Sequence, residues 1–163
     1  LEVFLRAAAL LGERHPDWRF TLFGSGSQAA SLQALAAELG IADRVRWPGF
    51  VPAGQALASL GVFVICSYVE NAPLALLEAM ASGVPVVASS VGGIPEIADE
   101  SVARMVGPGD PQALAGAIER TRLDTAETAG RAKAARRRVQ ERFTAERNAR
   151  TLFELYARLL AAR

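Results

Sequence analysis

Apolar positions along the chain follow two alternating rhythms. Leu1, Phe4, Leu5 and Ala8 recur at helical spacing and predict a helix over residues 1–14. Short continuous apolar runs then read as strands at Phe20–Phe23 and Val62–Cys66, the latter fully buried, and again at Pro85–Ala88. Arg44–Trp47 and Ala103–Val106 complete a set of five strands. Between them the helical rhythm returns. Ser27 is placed to cap a helix running to Leu39 and closing at Gly40, Pro52–Ser59 forms a short helix, and Leu74–Ser82 ends at Gly83. Pro95–Ala98 gives one helical turn, and Asp110 with Pro111 opens a helical region that continues to the end of the chain.

Apolar strands separated by helices imply a parallel sheet covered on both faces. The expected fold is therefore α/β: one doubly wound, mostly parallel, Rossmann-like sheet followed by C-terminal helices, in a single domain over residues 1–163. Ligands of such sheets sit beyond the carboxyl ends of the strands, so the loops that matter are 24–27, 48–52, 67–73 and 89–96.

Composition narrows the partners. With a formal charge of +1, the chain has no global field to draw nucleic acid, and an anionic ligand needs a local site. Its apolar runs are far shorter than a membrane span. Cys66 is alone and cannot form an internal disulfide, and no charged-then-apolar leader precedes the first strand, so the expected compartment is the cytoplasm. Lys133 is the single lysine beside many arginines, which reads as compositional bias. Leu1 already lies within helical periodicity, which reads as a piece of a longer protein. His15 stands before Pro16 as a turn residue, Cys66 ends a core strand, and no metal site is expected.

Three constellations are able to carry chemistry. Gly24-Ser25-Gly26-Ser27 turns from a strand into a helix start, where free amides and the helix dipole suit a phosphate; a tight turn without a ligand has the same pattern. Ala29 stands where a full dinucleotide fingerprint has its last glycine. Glu70 and Glu78 flank the start of a helix, at most about 12 Å apart along its axis, within reach of a single sugar diphosphate ribose. A buried stripe of Leu74, Leu77, Met80 and Ala81 would leave Glu78 near its edge; a loop carboxylate and a surface carboxylate are the plainer account of the pair. Ser90-Val91-Gly92-Gly93-Ile94-Pro95-Glu96 opens another helix, and the Gly92-Gly93 pair is placed to add amides to a diphosphate site.

Residues 20–120, with Glu141-Arg142-Phe143-Thr144 and Leu155-Tyr156, resemble the C-terminal domain of glycosyltransferase family 4, retaining enzymes of the two-domain GT-B fold. The resemblance rests on Glu70 and Glu78 followed by Ala79-Met80-Ala81-Ser82-Gly83-Val84-Pro85-Val86-Val87-Ala88. Phe23-Gly24-Ser25-Gly26, Arg44–Val51, Val91–Glu96 and Pro108-Gly109-Asp110 support it. It implies a nucleotide diphosphate sugar as donor substrate, no cofactor or metal, and an N-terminal acceptor domain as partner.

By that resemblance Glu70 faces the transferred sugar, orienting hydroxyls or steadying positive charge at the anomeric carbon, and Glu78 accepts the ribose hydroxyls. Asn71, Ala72, Pro73 and Leu74 meet the sugar and distal phosphate, Gly24–Ser27 lie near the diphosphate, and Trp47–Val51, with Phe50 and Val51, line the nucleobase pocket. Asn71-Ala72-Pro73 replaces the Gly-Phe-Gly common in the family, and Pro73 brings no N–H. The basic pair that neutralises the departing diphosphate belongs to a segment ahead of Leu1, so the resemblance implies weak nucleotide binding and no catalysis by these residues alone.

The run Arg131–Arg142 offers charge to acidic lipid at the inner membrane face, as in membrane-associated members, yet Glu127, Glu141 and Glu146 interrupt it and favour a solvated helix face. The final helices, with Phe143, Leu152, Phe153, Leu155 and Tyr156, would expose apolar surface meant for the other domain. Two rival readings need residues the chain lacks. A nucleotide-sugar epimerase requires further acid and base groups, and a response-regulator-like α/β module requires clustered aspartates at the first strand ends and a lysine on the last.

Overall fold

A computed structural model describes residues 1–161; the end of the expected helical tail, residues 162–163, lies outside the described residues. The elements follow in the order α1 (Glu2–Arg14), β1 (Phe20–Phe23), α2 (Ala29–Glu38), β2 (Val45–Gly49), α3 (Ala53–Ala58), β3 (Phe63–Ile65), α4 (Leu74–Ser82), β4 (Val86–Ser89), α5 (Ile94–Ile97), β5 (Arg104–Val106), α6 (Pro111–Leu123), α7 (Thr125–Arg142) and α8 (Ala145–Ala161). Every neighbouring strand pair is parallel. The α/β, doubly wound reading therefore holds.

One feature of the sheet departs from expectation. β1 pairs with β2, and β3, β4 and β5 pair in that order, but β1 and β3 do not hydrogen-bond to each other. The sheet is divided where its winding reverses. In consequence β3 is half-buried along its length rather than fully buried, whereas all four residues of β4 are buried between neighbours on both sides.

Two apolar cores hold the layers. Leu5, Ala8 and Leu11 of α1 pack with Phe20 and Leu22, with Leu32 of α2, and with Leu114 and Ile118 of α6. Leu76, Ala79 and Met80 of α4 pack with Val86, Ile94, Ile97 and Val139. Met80 is fully buried, and its truncation to alanine would cost about 2–5 kcal/mol.

Local chemistry sets the ends of the elements. Asp110 caps α6 by accepting from the N–H groups of Gln112 and Ala113 at 3.0 and 2.9 Å, as its sequence position predicts. Gly83 ends α4 in the left-handed conformation at φ 75°. Ser27, by contrast, caps nothing: α2 begins at Ala29 and its N-cap, Gln28, makes no side-chain bond. The helical tail is broken at Asp124, which caps α7 through the N–H of Glu127, and again at Phe143–Thr144. His15 closes α1, stacks on Trp18 at 4.2 Å, and sits with Nε2 2.6 Å from Glu119 Oε1, tying α1 to α6 rather than serving a site. Cys66 is buried, and that burial pushes its thiol pKa up, which suits a core residue.

Candidate functional site

The strands are parallel, so the loops after β1, β2, β3 and β4 emerge at one rim. The loop after β3 is the most constrained of them. Ser67 donates its hydroxyl to Glu70 Oε1 at 2.7 Å, and buried Ser89 donates to the Ser67 carbonyl at 2.8 Å. The carbonyl of Glu70 accepts from the Gly93 N–H at 3.1 Å. Glu70 is thus half-buried and held from three directions, through its side chain, its main chain and the strand end before it.

Close approach of the loops after β3 and β4 is what Gly92 and Gly93 allow. A Cβ on Gly92 would lie 1.8 Å from the Glu70 carbonyl oxygen, and one on Gly93 would lie 1.9 Å from that of Asn71. The Gly93 amide is occupied by Glu70 and is not free for a phosphate. This pair therefore supports the Glu70 loop by contact, a different role from the open amides its sequence suggests.

α4 begins directly after this loop. No protein group accepts the N–H of Asn71, Ala72 or Leu74 among the described residues, as a helix start without a side-chain cap leaves them. The buried face of α4 is Leu76, Ala79 and Met80, not the expected Leu74, Leu77, Met80 and Ala81; Leu74 is 72 % exposed and Ala81 is exposed as well. Glu78 lies about 200° round the helix from Leu76, on the outward face rather than at the edge of the stripe. It is exposed and has no side-chain partner among the described residues. Its carboxylate is open to a ligand.

The first glycine turn is built differently. Gly24, at φ 103°, donates its N–H to the Gly49 carbonyl at 2.8 Å and so joins the ends of β1 and β2. The N–H groups of Ser25, Gly26, Ser27 and Gln28 find no acceptor among the described residues, at the start of a ten-residue helix. Open amides at a helix N-terminus offer a candidate seat for an anion. Beyond Gly49, Phe50 is 84 % exposed and Val51 half-buried, leaving an apolar flank beside that turn.

Sequence reasoning brought these loops to one rim and missed their supports. Ser67 and Ser89 were not singled out, although a serine closing each of two apolar strands was the available signal. Tyr68 was also missed; its ring packs against Gly109, where an added Cβ would lie 3.2 Å away. Neither of the two clefts described for this chain has Glu70 or Glu78 in its wall. One is lined by Asn71, Ala72, Gly93 and Arg142; the other runs between β1 and β3 and reaches the rim at Phe23 and Ser67. Glu70, Glu78 and the amides of Ser25–Gln28 thus lie outside both clefts, whereas Asn71 and Ala72 line the first.

Elsewhere the basic run of α7 is divided. Arg131 pairs with Glu127 at 2.7 Å and Glu100 at 3.1 Å, and Arg138 pairs with Asp99 at 3.0 Å. The Ser101 hydroxyl and then the Arg138 guanidinium hold the Asp99 carboxyl below its usual range. Glu127 also receives Arg104, and hydrogen bonds from Arg131 and Arg104 bring its pKa down to about 2. Phe143 is half-buried under the Arg142 guanidinium, while Leu152, Phe153, Leu155 and Tyr156 of α8 are exposed as expected. Among the described residues no helix is long and apolar enough to cross a membrane, and no three His, Cys, Asp or Glu side chains converge as metal ligands.

Comparison with known proteins gives this surface a context. Residues 1–124 match the family described as Glycosyl transferases group 1. The chain is 32 % identical over 169 residues to the amylovoran biosynthesis glycosyltransferase AmsK of Erwinia amylovora, covering 98 % of this chain and 42 % of that protein. It is 38 % identical over 154 residues to a D-inositol 3-phosphate glycosyltransferase of Streptomyces avermitilis, covering 85 % of this chain and 33 % of that one. Among solved structures it superposes on a sucrose-phosphate synthase from Thermosynechococcus elongatus with a TM-score of 0.86 at 32 % identity, over 98 % of this chain and 43 % of the other. The Anabaena protein HepE, solved in complex with UDP-glucose, aligns with a TM-score of 0.84 at 28 % identity, over 99 % of this chain and 44 % of HepE. The chain therefore spans less than half the length of these proteins.

Proposed function

The chain belongs to the Glycosyl transferases group 1 family, and from that premise we propose that it is the donor-binding half of a retaining, family 4 glycosyltransferase. A nucleotide diphosphate sugar lies along the carboxyl rim. Its base rests beside Phe50 and Val51, its ribose hydroxyls donate to Glu78, and its diphosphate sits against Gly24–Ser27. The transferred sugar meets the first amides of α4 and the carboxylate of Glu70. The HepE complex with UDP-glucose supports the choice of ligand class.

One observation carries the reading: Glu70 is fixed by Ser67 and Gly93 at the foot of a helix whose first amides are unbound, while Glu78 on that helix is unpaired. A fixed carboxylate is able to stabilise positive charge developing at the anomeric carbon without reorganising. An unpaired, ionised one accepts from two hydroxyls. In the transfer, the bond from the anomeric carbon to the diphosphate oxygen breaks. The acceptor oxygen bonds to that carbon on the same face, and its proton leaves with the diphosphate.

The open form of the site fits half of a two-walled cleft. An acceptor-binding domain elsewhere in the full-length enzyme supplies the other wall and the charge that neutralises the leaving diphosphate, with no metal required. These 163 residues alone bind nucleotide weakly and do not catalyse transfer. Titration with UDP, GDP and ADP, followed by Trp47 fluorescence and amide shifts, tests the reading. Shifts at Ser25–Gln28 and Asn71–Leu74 are expected with at least one nucleotide; no response to any of the three would reject the donor site.

A further inference from the structure

A cleft of about 590 Å³ opens between the loop ahead of α4, the short helix α5 and the end of α7. That volume is in the range of small-molecule sites. Asn71 and Ala72 contribute one stretch of its wall, Leu77 and Phe143 add half-buried apolar surface, and Glu96 and Arg142 add exposed charge.

Four charged side chains line the cleft, and they fall into two kinds. Arg138 and Asp99 are joined at 3.0 Å, and Arg138 also donates to the Ile97 carbonyl at 3.3 Å, so this pair is a fixed part of the wall. Glu96 and Arg142 are open: neither side chain has a hydrogen-bond or ion-pair partner among the described residues. The Arg142 guanidinium lies over the Phe143 ring, 5.6 Å from its centre, a contact that favours this place for the charge.

Asn71 and Ala72 belong to two surfaces at once. They line the cleft, and their unbound N–H groups stand at the start of α4, beside Glu70. Gly93, also in the wall, donates to the Glu70 carbonyl at 3.1 Å, so the cleft and the Glu70 loop share one support. A group that enters this cleft from the rim is attached to whatever Glu70 faces.

The wall chemistry narrows what that group is. Two carboxylates and two guanidiniums give the wall a formal charge of zero. An ionised substituent would be attracted by one open side chain and repelled by the other. A hydroxyl alone would leave the apolar surface of Leu77 and Phe143 without a partner. An acylamino group meets all three features: its N–H donates to the Glu96 carboxylate, its carbonyl accepts from Arg142 or the Asn71 carboxamide, and its methyl covers the apolar surface.

We infer that this cleft is a subsite for an acylamino substituent on the transferred sugar, so that the donor is the nucleotide conjugate of an N-acylated amino sugar. The inference rests on the donor reading above and narrows its substrate class.

Sugar 1-phosphates test it without a choice of base. N-acetylglucosamine and N-acetylgalactosamine 1-phosphates are titrated against glucose and galactose 1-phosphates, and against glucuronic acid 1-phosphate, with amide shifts as the readout. At least one N-acetyl form is expected to bind about 5-fold or more tightly than its parent hexose form, shifting Ile97 and Phe143 as well as the rim amides. Arg142→Ala and Glu96→Ala, at exposed and unpartnered side chains whose loss leaves the fold intact, are each expected to bring that preference below about 2-fold. Both variants should bind UDP, GDP and ADP as the unaltered chain does. Equal affinity of N-acetyl and parent forms in both pairs, while a nucleoside diphosphate still binds, would overturn the inference and leave the donor site standing. Tightest binding of the glucuronic acid form would overturn it as well, by marking an anion subsite governed by Arg142. A preference that survives both substitutions would place the acylamino group elsewhere and overturn it too. No response to any sugar phosphate or nucleotide would reject the donor site and this subsite with it.

Discussion

At Gly24 and Gly26 an added Cβ would meet no atom within 4 Å, whereas at Gly92 and Gly93 it would fall 1.8 and 1.9 Å from the carbonyl oxygens of Glu70 and Asn71. Both turns lead from a strand into a helix on the same rim. Around the first, four amides are open and the space is empty; around the second, the Gly93 amide is occupied and the space is filled by another loop. The first glycines leave open space, which the proposed donor site would use. The second keep room for the protein itself, and through that contact they position Glu70.

The contrast is most severely tested by Gly93→Ala. The collision with the Asn71 carbonyl and the strained bond to Glu70 are expected to lower stability by about 2–4 kcal/mol, read from chemical denaturation. A loss below about 0.5 kcal/mol would show that the two loops part freely and that the glycine pair does not hold the site. Glu78→Ala should do the reverse, leaving stability unchanged because the side chain is exposed and unpaired, and weakening nucleotide binding by about 1.5–3 kcal/mol. Unchanged affinity for every nucleotide that binds would remove Glu78 from the ribose role.

Gly26→Ala sharpens the same contrast from the open side. Its surroundings are empty and its φ is not positive, so stability should change by less than about 1 kcal/mol in either direction. Nucleotide affinity should fall several-fold as the methyl enters the anion seat; equal affinity would show that the seat is not used. The smallest effect belongs to the packed half. Glu127, with its pKa lowered to about 2 by Arg131 and Arg104, ties α7 to β5. Its folded-state pKa lies below its ordinary 4.5, so its contribution is present above pH 4.5 and is lost as pH falls toward 2. Glu127→Gln should flatten that part of a stability–pH curve; an identical acid slope would show that the cluster contributes nothing.

Much of the fold was legible because its signals are local. Phe20–Phe23 and Leu74–Ser82 were bounded to the residue by apolar runs and by Gly24 and Gly83, and Asp110 announced the start of α6. Ser27 misled because its place at a strand–helix turn fits a cap, while the backbone begins its helix two residues later. Part of the site was legible for the same reason. The spacing of Glu70 and Glu78 and the glycines at each turn are visible in one dimension, but the Ser67 and Ser89 supports are not, since Ser89 meets Ser67 from the next strand.

The sequence by itself determined an alternating α/β chain, the loops at its carboxyl rim and the residue types offered there, because periodicity and turn chemistry act over a few neighbouring residues. Only the tertiary structure decided that Glu78 faces outward, that Gly93 holds Glu70, and that the sheet is divided between β1 and β3. Each of those depends on which distant segment packs against which, and burial, collision and strand pairing are properties of two surfaces that no local pattern contains.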